Sequence, residues 1–202
     1  MKRINSTHAK THEKRKQIIT AALNCFTEIG VADTRMSAIC RRSNASIGSI
    51  YHHFKSKEQL ATAVYLDGIK DYQNGYIDVL EKQTHAEDGI FKVVEYHLNW
   101  VVDHPDWARY LFKERHATFL GENKQIFDQL NKAFFKRAAD WFKTHIRSGM
   151  FKKLPSDIFM SILMGPCQAF SSQYLFDQTC SDINRACQDI SDAVWNALKQ
   201  DK

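Results

Sequence analysis

The residues that follow Ser46 have small or apolar side chains that can contact the edges of nucleic-acid bases. Ile47, Gly48 and Ser49 come first in this segment. An isoleucine can contact the methyl group of thymine, and a serine hydroxyl can bond a base or a phosphate. Glycine allows the backbone to approach a partner closely. These residues predict the leading turn of a helix that enters a major groove, with Ser46 as its N-terminal cap.

Three side chains further along the same stretch can bind phosphate oxygens. Tyr51 and His52 lie one helical turn on, where a phenol and an imidazole can donate to phosphate. Lys57 lies near the start of the next helix, where its charge adds to the positive end of the helix dipole. We expect Tyr51 to contact nucleic acid and Phe54 to be a core residue. Phosphate contacts then position the protein, and base contacts select the sequence.

Positive charge is concentrated in the first quarter of the chain. Residues 1–58 hold 11 Lys and Arg against 4 Asp and Glu, a net charge of +7. Residues 59–202 hold 17 against 19, a net charge of −2. An excess of this kind favours binding of a polyanion. We expect the basic tail from Lys2 to Lys16 to be a solvated and disordered arm, above all in its first ten residues, although residues 14–16 lie close enough to the motif to reach phosphates.

Two short helices joined by a tight turn are predicted to position the contact residues. The apolar spacing places the first helix over 36–43 and the second over 47–54. Asn44 tolerates the left-handed backbone conformation that the turn requires. Thr34 is the expected cap of the first short helix, and Arg35 lies beside it.

The spacing of apolar residues predicts an all-α fold for the whole chain. Apolar residues recur every three or four positions almost throughout, and the chain has only 3 Pro and no alternating runs. We expect about nine helices, the first of which ends at Gly30. After the two short helices, the predicted ones cover 57–82, 89–103, 105–120, 122–148, 156–176 and 182–199.

A register of residues across the first 60 positions matches a known DNA-binding domain. The first helix contains Ile19, Ala22, Phe26 and Gly30, and Ile39 follows in the second. The run Ser46-x-Gly48-Ser49-Ile50-Tyr51-x-His53-Phe54 is followed by Ser56-Lys57-Glu58-x-Leu60. This pattern resembles the TetR family of bacterial transcriptional regulators.

The resemblance implies a division of the chain and a set of DNA contacts. A three-helix helix-turn-helix domain would occupy residues 1–56, and a larger helical domain for ligand binding and dimerisation would occupy residues 57–202. The implied DNA-binding residues are Thr34, Arg35, Ser46, Ile47, Gly48, Ser49, Tyr51, His52 and Lys57.

The resemblance also implies a function and a homodimer. The expected function is that of a sequence-specific repressor, which binds a palindromic operator in double-stranded DNA and is released by a small-molecule inducer. In this family the last two helices form the homodimer, and a two-fold operator also requires one. The alternative is that their apolar stripes are intramolecular core. The expected interface residues are Ile158, Ile162, Ile183, Cys187, Ile190 and Val194.

The middle of the chain is rich in aromatic residues, and in the TetR family this region encloses the inducer. An apolar pocket with a few polar groups is typical of small-molecule sites, although any single aromatic residue can be ordinary core. Such a lining favours an apolar or aromatic inducer, and Arg115 leaves an anionic one open. The expected ligand-binding residues are His97, Trp100, Tyr110, Arg115, Phe119 and Gln168.

Other classes of protein find little support in the sequence. We see no GxGxxG, Walker loop, HExxH or GxSxG motif, so we expect no enzyme, no catalytic residues and no cofactor. The start of the chain is basic without an apolar stretch behind it, and the apolar run 158–170 is interrupted and short. We therefore expect a cytoplasmic protein without a membrane partner.

The cysteines leave one alternative mode of control open. Five cysteines without a CxxC pair fit neither a disulfide framework nor a metal site. A regulator controlled by oxidation of Cys180 or Cys187 is the alternative function, and a DNA-binding protein without any ligand is a third possibility.

Overall fold

The computed structural model describes the backbone of residues 2–201 and the side chains of residues 10–121 and 124–201. The backbone in this range forms nine α-helices and one short 3-10 helix. In chain order they are α1 (Lys2–Ile29), α2 (Met36–Ser43), α3 (Ile47–His53), α4 (Lys57–Leu80), α5 (Ala86–Asp103), α6 (Pro105–Glu114), the 3-10 helix (Thr118–Asn123), α7 (Lys124–Arg147), α8 (Ser156–Leu175) and α9 (Ile183–Leu198).

The all-α prediction is confirmed, but several predicted boundaries are wrong. Helix α5 begins at Ala86, whereas the predicted start is Gly89. Helix α1 begins at Lys2, so it includes the segment predicted to be a solvated arm. The helix predicted over 105–120 ends at Glu114, and the 3-10 helix follows it. Among the helices within residues 2–201, none combines the length and apolar character needed to cross a bilayer.

The chain packs as two compact units. Unit 1 reaches to Ile69 and also includes Arg109–Phe127, whereas unit 2 consists of Lys70–Ala108 and the residues from Asp128 onward. The predicted division after residue 56 is a division by function, between a DNA-binding part and a ligand-binding and dimerisation part. That functional division stays a prediction.

The core of unit 1 holds the first helices together. Tyr110 of α6 stacks on Phe26 of α1 with ring centroids 5.9 Å apart, and its Oη donates to the backbone carbonyl of Ala61 over 2.9 Å. Each fully buried aliphatic side chain stabilises the fold by roughly 1.5 to 3 kcal/mol. Those without exposed surface in this core include Ile18, Ile39, Ile50 and Leu60.

Helix α5 is central to unit 2, where it packs against α8 and α9. Two glycines allow close packing of aromatic rings in this unit. A Cβ atom at Gly75 would overlap the ring of Tyr96, and one at Gly89 would overlap the ring of Trp141. The Trp141 ring is itself fixed, because its Nε1 donates to the carbonyl of Gln83 over 2.9 Å.

Candidate nucleic-acid interface

The turn between α2 and α3 is fixed by hydrogen bonds from three directions. Asn44 has a left-handed backbone (φ 47°, ψ 46°), and its N–H donates to the carbonyl of Cys40. Ser46 accepts from the backbone N–H of Ser49 over 3.1 Å. From α1, Lys14 Nζ donates to the carbonyl of Asn44 over 3.0 Å. The predicted turn and the Ser46 cap are confirmed, whereas the contact of Lys14 joins residues 30 positions apart and has no signal in the sequence.

The leading turn of α3 faces solvent while Ile50 anchors the helix in the core. Ile50 has no exposed surface, but Ile47 is 49% exposed. A Cβ atom added to Gly48 would meet no atom within 4 Å, and the backbone of Gly48 is not left-handed. Neither packing nor backbone conformation within the described chain therefore requires glycine at this position.

The second turn of α3 separates exposed residues from core residues. Tyr51 is 43% exposed and His52 is also exposed, whereas Phe54 is 3% exposed. The guanidinium of Arg15 lies 5.6 Å from the centre of the Phe54 ring. Burial, followed by the charges of His52 and Arg15, lowers the pKa of His53 and favours its neutral form. Tyr51 and His52 are thus available to an outside partner.

The structure separates the roles of Thr34 and Arg35. Arg35 is exposed and occupies the N-cap position of α2, so the prediction that Thr34 caps this helix is wrong. Thr34 is 2% exposed, and its hydroxyl donates to the carbonyl of Gly30 over 2.6 Å. The Thr34 side chain therefore stabilises the loop before α2 and does not face an outside partner.

Lys57 bonds the same loop. Its Nζ donates to the carbonyl of Ala32 over 2.6 Å and to that of Thr34 over 3.2 Å. An ammonium group has three N–H donors, so one remains for a phosphate. Lys57 thus positions the loop before α2 as well as offering charge to a partner.

A groove with a volume of 490 Å³ lies beside the α2–α3 turn, between α1 and the end of α2. Its lining includes Lys14, Lys16 and Arg42 against a single carboxylate, that of Glu13. Arg42 is also paired with Glu28 over 2.7 Å. The excess positive charge predicted for this part of the chain therefore borders the exposed turn of α3.

Two of the predicted ligand-binding residues, His97 and Trp100, pack on the ring of Tyr72 in unit 2, with centroids 5.6 and 5.2 Å away. His97 Nδ1 lies 2.7 Å from the Oη of Tyr72, and its Nε2 lies 3.1 Å from the Oγ of Ser171. Burial lowers the pKa of His97 to about 4, so the imidazole is neutral at pH 7. Trp100, one turn further, donates from Nε1 to Asp71 over 3.1 Å.

The other four predicted ligand-binding residues are either in unit 1 or exposed. Tyr110, Arg115 and Phe119 belong to unit 1, where Tyr110 is part of the core beneath the helix-turn-helix. Arg115 is exposed, and so is Gln168 on α8. A shared ligand site for all six residues therefore stays a prediction.

The predicted dimer residues on α8 and α9 differ in exposure. Ile158 is 46% exposed, as expected for a residue that meets a partner. Val194 is 1% exposed and belongs to the core of unit 2, so its side chain is not available to a second copy. The remaining residues, Ile162, Ile183, Cys187 and Ile190, are partly buried against that core.

Most of the described thiols are poorly suited to redox chemistry. Burial raises the pKa of Cys25 and of Cys187, and it raises that of Cys167 to about 12. A raised pKa lowers the fraction of thiolate, which is the reactive form. Cys180 is exposed, so oxidative control stays a prediction for that residue.

Sequence comparisons concern mainly the first helices. Residues 18–64 match the family model of bacterial regulatory proteins of the tetR family. The HTH-type transcriptional regulator UidR of Escherichia coli K12 is 36% identical over 63 residues, which are 31% of this chain and 32% of that protein. The similarity thus spans about a third of the length of this curated relative.

Solved structures share the fold over nearly the whole chain. A TetR family transcription regulator from Marinobacter aquaeolei has a TM-score of 0.80 at 15% identity, covering 96% of this chain and 100% of that one. FadR from Bacillus subtilis, in complex with stearoyl-CoA, has a TM-score of 0.74 at 17% identity, covering 89% and 96%. At these identities the likeness concerns the fold.

Proposed function

Because the chain belongs to the TetR family of bacterial regulatory proteins, we propose that it is a repressor that binds a palindromic operator as a homodimer and is released by a small-molecule inducer. The observation that supports this most directly is the open leading turn of α3, where Gly48 has space for a partner and Ile47 is exposed. The named relatives are regulators, which supports a regulatory rather than a catalytic role.

The contacts with DNA follow from the exposure of each side chain. Ile47 and Ser49 meet base edges in the major groove, and Gly48 lets the helix approach closely. Tyr51 and His52 bind phosphates from the next turn, and Arg35 does so from the start of α2. The phosphate contacts set the register, and the leading turn selects the sequence.

Homodimerisation through α8 and α9 would supply two copies of α3 for the two half-sites of the operator. Half-sites read by such dimers lie roughly 34 to 36 Å apart, or multiples of that distance. The inducer would act by population shift. A ligand that prefers the dimer conformation unable to bind DNA would increase the population of that conformation and so lower the occupancy of the operator. The complex of FadR with stearoyl-CoA supports ligand binding by this fold.

The test is selection of bound duplexes from a random DNA library by the purified protein, followed by the salt dependence of binding. We expect a palindromic consensus. Ile47→Ala and Ser49→Ala should change the sequence preference by about 1 to 3 kcal/mol for each base that the side chain no longer reads. Arg35→Gln should weaken binding to all sequences and reduce the salt slope by about one. Equal binding to random and selected DNA would overturn the proposal.

A further inference from the structure

Two buried polar atoms on α4 have no hydrogen-bond partner among the described residues. Gln73 is 5% exposed and Tyr76 is 1% exposed, yet Oε1 of Gln73 and Oη of Tyr76 are unpaired. Residues three positions apart lie on the same face of a helix. Because an unpaired polar atom destabilises a protein interior, both atoms point to a partner outside the chain itself.

The free ends of the two side chains are defined by their other contacts. Gln73 Nε2 donates to Oδ1 of Asn131 over 2.7 Å, which leaves the carbonyl oxygen of the amide as the free end. The ring of Tyr76 meets Phe134 and Tyr96 edge to face, with centroids 5.4 and 6.4 Å apart. An acceptor and a hydroxyl about one helical turn apart are thus left without partners, and the hydroxyl lies in an aromatic environment.

The charges around this pair exclude an ionic ligand. Among the described residues, none of the groups that bond or stack on Gln73 and Tyr76 is a cation. The nearest imidazole is His97, reached through Tyr72, and its burial keeps it neutral. The charges that act on neighbouring Tyr96 are the carboxylates of Asp71 and Asp78, and both of these side chains are exposed. The charge of Asp78 also acts on Arg137, which is exposed as well. Among the described residues no charged side chain is buried, so neither an anion nor a cation would find a buried counter-charge at this pair.

We propose that Gln73 and Tyr76 anchor the inducer, and that the inducer is an uncharged, mostly apolar molecule with one hydroxyl group. The ligand hydroxyl would donate to Oε1 of Gln73 and accept from Oη of Tyr76, so both atoms would gain a partner. This inference rests on the proposed function and names the ligand class for it. It also sets the chain apart from FadR, whose ligand stearoyl-CoA carries phosphates.

The test uses four probes with the same ring and different polar groups. Benzyl alcohol, toluene, benzoate and benzylamine are titrated into the full chain without DNA, and binding is measured by calorimetry. We expect benzyl alcohol to bind at least about ten times more tightly than toluene, because each hydrogen bond in an interior adds affinity. Neither ion should bind. Equal affinity for toluene and benzyl alcohol, or preferential binding of benzoate, overturns the proposal.

Two variants remove the anchor atoms with little change in shape. Tyr76→Phe and Gln73→Met should reduce the affinity for benzyl alcohol to that for toluene. Tyr76→Phe should retain or raise the Tm of the unliganded protein, because it removes an unpaired hydroxyl. Tyr174→Phe is the matched control on α8, and it should leave the affinity unchanged.

The variants also identify the competing explanation, an internal water molecule. If Tyr76→Phe lowers the Tm and leaves the affinity for benzyl alcohol unchanged, the two atoms serve a bound water and the proposal is wrong. Duplex selection without any probe tests the proposed function separately. A palindromic consensus together with no discrimination among the probes would overturn only the ligand class.

Discussion

At the scale of single residues, Gly48 lowers the stability of its own helix, and no packing contact within the described structure requires a glycine there. Glycine is less favourable than alanine in a helix interior by about 1 kcal/mol, and a Cβ at Gly48 would meet nothing. We predict that Gly48→Ala raises the free energy of unfolding by up to about 1 kcal/mol. The same change should weaken operator binding, because the methyl group occupies the space that DNA needs. Denaturant unfolding and a binding titration measure the two effects.

A second open glycine provides the control. Gly121, in the 3-10 helix, also has no atom within 4 Å of an added Cβ. Gly121→Ala should leave operator affinity unchanged. Full affinity of the Gly48→Ala protein would contradict the assignment of the leading turn of α3 to the DNA groove.

Lys57 differs from an ordinary phosphate-binding lysine because its ammonium group already bonds two carbonyls. We predict that Lys57→Met lowers the free energy of unfolding by about 1 kcal/mol, since the variant removes a charged donor to the loop from a partly exposed site. Lys55 is exposed and its side chain makes no hydrogen bond in the described structure, so Lys55→Met should leave stability unchanged. Denaturant titrations of the two variants test the difference, and equal stabilities would refute the positioning role.

At the scale of helices, Gly89 sets how closely Trp141 packs on α5. The ring of Trp141 is fixed by its bond to the carbonyl of Gln83, so it cannot yield easily to a methyl group. We predict that Gly89→Ala lowers the free energy of unfolding by about 1 to 3 kcal/mol, the usual effect of overpacking. Gly165 on α8 has open space at the Cβ position and provides the matched control. A thermal unfolding scan in which both variants match the parent protein would count against this packing.

His97 on α5 hydrogen-bonds Tyr72 on α4 and Ser171 on α8, and these contacts between three helices should be sensitive to acid. The pKa of buried His97 is lowered to about 4, whereas an unfolded histidine titrates near 6.5. As the pH falls, His97 is therefore protonated in the unfolded chain before it is protonated in the folded one. The contribution of neutral His97 to the free energy of unfolding is complete above about pH 6.5 and is lost as the pH falls towards 4. We predict that the parent protein loses about 3 kcal/mol more than His97→Gln across this interval. Parallel stability curves for the two proteins would contradict the prediction.

The limits of prediction from sequence also lie at this scale. The α2–α3 turn could be predicted because Asn44 and Ser46 determine it locally. The assignment of Tyr110 to the core of unit 1 could not, because its stacking on Phe26 joins residues far apart in the chain. Gln73 precedes Tyr76, Ile77 and Leu80 at helical spacing, so it is a polar residue on a buried helix face. That pattern could have marked Gln73 as a candidate site residue. Without tertiary contacts, nothing in the sequence shows that its carbonyl oxygen is unpaired.

At the scale of the whole molecule, charge and apolar surface are separated along the chain. The net charge of +7 lies in residues 1–58, and the exposed Ile158 lies on α8. The proposed palindromic operator would require both features in each copy, because each protomer would contribute one α3 and one dimer surface. Removing either feature should therefore weaken operator binding, but only loss of the dimer surface should change the mass in solution.

We predict that Ile158→Glu converts the proposed dimer to a monomer, because it places a charge on a surface that would be desolvated on association. Ile158 is 46% exposed within one copy, so the substitution removes little packing inside the fold, and the Tm should fall only by the part that association contributes. Val194 is 1% exposed and serves as the contrasting position, where Val194→Ala should lower the Tm without changing the mass. Sedimentation analysis and thermal unfolding separate the two effects. A dimer that persists in Ile158→Glu, with undiminished operator affinity, would move the interface away from this part of α8.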